Sequence, residues 1–145
     1  MLRNIYLICF LLVMSGCSQA QTYETLEVAG HVLKLDTKSC QLDFGTKIMN
    51  LDMGEKCHFI KEGNTEDVIV KYYSDKELHV VLIVGDSVIE NPEYPVTMNR
   101  DDCGSIINAL LVNKNNIRIS SKTLNDTVTC ASVGVDEKEY YMLSH

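Results

Sequence analysis

The sequence predicts one small, mainly β domain, an antiparallel sandwich or barrel stapled by two disulfides, and three observations carry that reading. Apolar and polar residues mostly alternate beyond residue 24, turn residues interrupt the alternation at regular intervals, and four cysteines remain once the N-terminal segment is set aside. The composition, 46% hydrophobic and 23% charged over 145 residues, excludes a disordered or fibrous chain.

Taken in order, Leu26 and Val28 alternate with Thr25 and Glu27, Gly30 and His31 are the expected turn, and Leu33 and Leu35 resume the period around Lys34. That is a hairpin pattern. Leu42 and Phe44 flank Asp43 before Gly45; Met49, Leu51 and Met53 flank Asn50 and Asp52 before Gly54, a spacing that puts all three on one face as a core stripe. Cys57 and Phe59 continue the period up to the break at Lys61, Glu62, Gly63 and Asn64.

Residues 68–73 (VIVKYY) and 78–84 (LHVVLIV) form the strongest strand pair, and the second is apolar on both faces, which marks a central strand. Gly85 and Asp86 close it, and residues 91–95, which hold both prolines and Tyr94, read as loop. Residues 105–112 (SIINALLV) fit a helix face or a strand. Their short length, the turn at 113–116 and the alternation of Ile117 and Ile119 favour a second hairpin. Residues 128–131 add a short strand. Asp136 followed by Glu139 is a capping pattern, so residues 140–145 read as a last helical turn.

The N-terminus has a different logic. Arg3 precedes an unbroken apolar run at 5–14, about half of the roughly 20 residues a spanning helix needs, which fits a signal segment. Met14, Ser15, Gly16 and Cys17 then resemble the lipobox of bacterial lipoproteins, with methionine where leucine is usual. The resemblance implies lipid transfer to the Cys17 sulfur, removal of residues 1–16, a lipidated tether at 17–24 and a single periplasmic domain at 25–145. Ser18 resembles the outer-membrane sorting pattern, which implies the periplasmic face of that membrane. The other reading is an ordinary secretory signal cut after residues 18–20.

Cys9 leaves with the signal and Cys17 is taken by lipid, so Cys40, Cys57, Cys103 and Cys130 read as two disulfides in an oxidising compartment. Of three connectivities, Cys40 with Cys57 and Cys103 with Cys130 is favoured, because each would staple neighbouring strands within its own half of the chain. No Cys-x-x-Cys or paired histidine spacing accompanies them, so neither a metal nor any other cofactor is expected.

The formal charge of −7 becomes −8 without Arg3, since all 20 acidic residues lie beyond the signal. That balance argues against nucleic acid and suits a basic protein partner, or serves only to keep an exported domain soluble. There is no Gly-x-Ser-x-Gly elbow, and Gly104 and Gly134 stand alone instead of forming a phosphate loop. Asp101 and Asp102 beside Cys103, and Asp136 with Glu137, are carboxylate pairs of the kind that runs glycoside hydrolysis, but in turns of an acidic protein they are ordinarily solvated. Among the histidines, His79 sits in an apolar strand as a packed residue. His58 beside Met49 and Met53 would suit a soft metal, although the methionines are more simply a core stripe.

The candidate binding residues are therefore Tyr72, Tyr73, Tyr94, Tyr140 and Tyr141, with Asp101 and Asp102. Tyrosine gives large contact area at low entropic cost, and each doublet places one ring on either face. The expected function is a non-catalytic outer-membrane lipoprotein, anchored to the membrane by its lipid, that binds and neutralises a periplasmic protein such as a basic toxin or hydrolase. In size, lipidation and expected fold the chain resembles lipoprotein lysozyme inhibitors and envelope immunity proteins, a likeness of architecture from which no residue is transferred. The alternatives are a structural lipoprotein of an envelope complex, and a small periplasmic hydrolase using the carboxylates or His58.

Overall fold

A computed structural model describes residues 22–88 and 101–145. Cys17, Tyr94, the signal segment and the proline-containing loop lie outside the described residues. Two antiparallel sheets pack face to face, a short third ribbon closes one end, and a helix covers the back of the second sheet.

The first sheet is a meander of β1 (Tyr23–Val28), β2 (His31–Asp36), β3 (Gln41–Asp43) and β4 (Ile48–Asn50). Its opening hairpin pairs Val28 with His31, so the two-residue loop is Ala29 and Gly30, one position earlier than the alternation suggested. Both loop residues have positive φ, 50° and 81°, as the hairpin turn that matches strand twist requires. The inward face carries Val28, Leu33, Leu35 and Leu42, while Thr25, Glu27, Val32, Lys34 and Ile48 face outward. β4 ends at Asn50, yet Leu51 and Met53 stay buried with Met49 packed beside them, so the core stripe persists without a strand to carry it.

The second sheet runs in the order β10 (Ile117–Ile119), β9 (Ile106–Val112), β7 (Leu78–Gly85), β5 (Cys57–Phe59), with β6 (Val70–Tyr73) also paired to β7. Apart from the half-buried His79, β7 is apolar because it is the middle of three layers. Val81 and Ile83 enter the core shared with the first sheet, whereas Leu78, Val80, Leu82 and Val84 enter a second core with Ile107, Tyr140 and Leu143. Successive residues of a strand face opposite sides, so a strand buried on both must be hydrophobic at every position. Of residues 105–112, Ile106–Val112 form strand, and the second hairpin forms as expected. The sheets do not close on each other among the described residues, which makes this a sandwich and not a barrel.

The ribbon of β8 (Cys103–Gly104) and β11 (Thr129–Cys130) lies against the end of β7. Gly104 permits this approach, because a Cβ there would sit 2.8 Å from the Gly85 carbonyl carbon and 2.9 Å from the Asp86 oxygen. Both disulfides have the favoured connectivity. Cys103 and Cys130 are directly opposed across the ribbon, Cα atoms 3.8 Å apart. Cys40 and Cys57, Cα atoms 5.5 Å apart, do not staple neighbouring strands: they join the first sheet's β2–β3 turn to β5 of the second.

The helix α1 (Glu137–Ser144) starts three residues before the expected 140–145, with Asp136 at its N-cap. The Asp136 side chain makes no capping bond, and burial of Tyr140 and Leu143 against β7 and β9 supplies the stability that the cap does not.

Candidate functional site

The layers give the domain two poles. The chain enters at Thr22, where Thr37 donates its backbone N–H to the Thr22 carbonyl, and both disulfides, the β7 C-terminus and the short ribbon gather at that end. At the opposite end lie the Ala29 turn, the β6–β7 turn at 74–77, the β9–β10 turn at 113–116 and the end of α1. The His31 ring bonds the Asn113 carbonyl oxygen at 2.9 Å and the Lys76 ammonium donates to Ser144 O at 3.2 Å, fixing these parts to one another.

The entry pole holds a connected group of polar side chains, Glu24, His58, Lys61 and Glu66. Glu24 is in phase with Leu26 and Val28, so its carboxylate points between the sheets. One oxygen meets His58 Nδ1 at 2.9 Å and Lys61 Nζ at 3.3 Å, and the other accepts the Phe59 N–H at 2.8 Å. Burial alone would raise the Glu24 pKa, but the hydrogen bonds from His58 and Phe59 and the adjacent positive charges outweigh it and hold the group below its ordinary 4.5. Burial would likewise lower Lys61, yet its contacts with Glu66, at 2.7 Å, and Glu24 raise it. The second His58 nitrogen faces the Asp101 carbonyl at 3.1 Å. A groove of about 380 Å³ opens beside Glu24, His58 and Lys61.

Asp102 is half-buried and tied into the ribbon. Its carboxylate accepts the Ser132 hydroxyl at 2.6 Å and the Ser132 N–H at 3.1 Å, and its carbonyl accepts the Ala131 N–H, which together fasten the chain leaving β11. Asp101 is exposed and contributes its backbone oxygen to His58. Asp102, Cys103 and Cys130 bring one carboxylate and two sulfurs within 4.8 Å, but the sulfurs are bonded to each other, and metal binding requires thiolate. His58 engages Glu24 and Asp101, while the Ser132 hydroxyl engages Asp102. The acid, base and hydroxyl groups of this pole thus act as struts between the sheets and the ribbon.

The tyrosines separate by layer at the far pole. Tyr72 is 55% exposed and leans on His79, directly opposite in register, with ring centroids 4.7 Å apart. Tyr73 faces the helix side, where its hydroxyl donates to Glu137 at 2.9 Å; burial and that carboxylate push its pKa up to about 12. Tyr141, 56% exposed, stacks on His145 with centroids 4.1 Å apart. Tyr140 is wholly buried and is a core residue, not a displayed one. So one member of each doublet is exposed, Tyr72 and Tyr141, as strand or helix alternation requires. Tyr72, His79, Lys76, Glu77, Lys114 and Asn115 surround a cleft of about 360 Å³.

Sequence reasoning missed Glu24, Lys61 and Ser132. The available signal was phase: Glu24 occupies a core position of a strand whose other core positions are leucine and valine, and a carboxylate there needs partners. Fold and site define a disulfide-stapled two-sheet sandwich with exposed Tyr72 and Tyr141 toward one pole and exposed Tyr23 at the chain-entry pole. Comparison with protein-family models, curated proteins and solved structures found no match for this chain.

Proposed function

We propose that this chain is a lipid-anchored envelope protein, attached at Cys17 on the periplasmic face of the outer membrane, whose domain binds and neutralises an envelope-acting protein without catalysis of its own. The observation that carries the reading is polarity: chain entry and both disulfides share one pole, and the exposed Tyr72 and Tyr141 lie toward the other. A domain held by its N-terminus directs the opposite pole away from the anchor, and rigid aromatic rings on that pole are suited to desolvated contact with a protein. The strut roles of Glu24, His58, Asp102 and Ser132 favour binding over hydrolysis. The negative charge favours a basic partner, approached faster at low salt.

The test is affinity capture with the intact purified protein from periplasmic and competitor-cell extracts, followed by activity assays on what is retained. The expected result is one envelope-acting enzyme, stoichiometric, released by salt and inactive while bound. Retention of resident envelope proteins that keep their activity would move the role to assembly, and turnover of an envelope substrate by the protein itself would make it a hydrolase.

A further inference from the structure

The far-pole cleft has a chemistry of its own, which rests neither on the anchor nor on neutralisation. Its volume of about 360 Å³ falls within the ~300–1,000 Å³ of small-ligand sites. Tyr72 and His79 supply an aromatic platform from adjacent strands, and His79 Nδ1 is buried with no hydrogen-bond partner. Packing against Tyr72 holds the ring, with centroids 4.7 Å apart. On the rim, Glu77 has φ 48°, a left-handed conformation that a non-glycine residue adopts under strain.

The rim decides the ligand class. Lys76, already bonded to Ser144 O, and Lys114 and the Asn115 amide are donors in chemistry, while the Glu77 carboxylate and the Asn115 side-chain carbonyl are acceptors. An anion would meet Glu77, and a cation would meet the two lysines. A neutral group that donates and accepts at each position, and offers an apolar face to the tyrosine ring, meets neither obstacle. Sugar hydroxyls on a pyranose ring have that character. We propose that the cleft binds a short neutral saccharide, with a C–H face on Tyr72 and hydroxyls bonded to Glu77, Lys114 and Asn115.

The test is titration of the isotopically labelled full chain with an N-acetylglucosamine tetramer and, separately, a glucose tetramer, read by amide chemical shifts. Saturable shifts centred on Tyr72, His79 and residues 113–115 with at least one tetramer are expected. Tyr72→Phe should retain binding, and Tyr72→Ala should weaken it about tenfold, the order of one aromatic stacking contact. Glu77→Gly, which relieves the strained rim while removing its acceptor, should weaken binding as well and stands in if Tyr72→Ala fails to fold. No saturation with either tetramer, shifts centred elsewhere, or undiminished binding by the Tyr72→Ala or Glu77→Gly protein would overturn the proposal.

Discussion

Replacing Glu24 by glutamine isolates the charge at the junction of the two sheets. The carboxylate accepts three hydrogen bonds or ion-pair contacts, from His58 at 2.9 Å, Phe59 N–H at 2.8 Å and Lys61 at 3.3 Å, and its side chain is only 16% exposed. Glutamine keeps the shape and can still accept the Phe59 N–H, but loses the charge and presents an amide donor to His58 or Lys61. A charge-assisted hydrogen bond contributes about 1.5–3 kcal/mol, so Glu24→Gln should cost about 2 kcal/mol at pH 7. With a typical urea slope of about 2 kcal/mol/M, the unfolding midpoint should fall by roughly 1 M. The pH dependence gives a second check. The Glu24 pKa is depressed in the fold, so its stabilisation is complete above the ordinary 4.5 and disappears as pH falls through the lower folded value. The wild-type and glutamine curves should therefore converge in acid. A midpoint shift under about 0.2 M at pH 7, or a gap that widens below pH 4.5, would refute the strut account.

Other perturbations address separate parts of the fold. Ala29→Asn should stabilise by about 0.5–1 kcal/mol in thermal unfolding, because the φ of 50° at Ala29 penalises alanine and an Asn-Gly loop is the preferred hairpin turn. The Cys103→Ser/Cys130→Ser pair should lose about 3 kcal/mol by denaturant titration, since that bridge spans 27 residues of sequence and restricts the unfolded chain accordingly. In ultraviolet titration Tyr73 should ionise near 12, and Glu137→Gln should bring it back toward 10, because burial and the Glu137 carboxylate both oppose the phenolate. If Glu137→Gln leaves the late transition unmoved, the Tyr73–Glu137 bond is absent in solution.

The alternating segments, the central β7 and the presence of two disulfides were legible because each follows from a local rule: strand period, burial on two faces, and cysteine count; the Cys40–Cys57 pairing was expected within one half of the chain, but it links the two sheets and not neighbouring strands. What escaped depended on contacts between layers. The opening turn was placed one residue late since Ala29 carries none of the turn chemistry of asparagine or glycine, and only strand pairing fixes it in the left-handed region. The helix began earlier than expected because Tyr140 and Leu143, packing behind β7, determine its position, while the Asp136 cap goes unused. Tyr140 and Tyr141 look alike in sequence, and the helix assigns one to the core and the other to the surface. The candidate site was half visible: its tyrosines announce themselves by residue type, but Glu24, Lys61 and Ser132 meet their partners across 34, 37 and 30 residues of chain, a separation no local pattern encodes.

We propose that the pole remote from chain entry is the working face. The test is affinity capture with the intact protein and with a Tyr72→Ala/Tyr141→Ala variant, both confirmed folded by circular dichroism. One neutralised enzyme should be retained by the wild-type protein and lost, by at least tenfold, from the variant. Equal retention by both, or a partner released instead by changes around Asp101 at the entry pole, would contradict it.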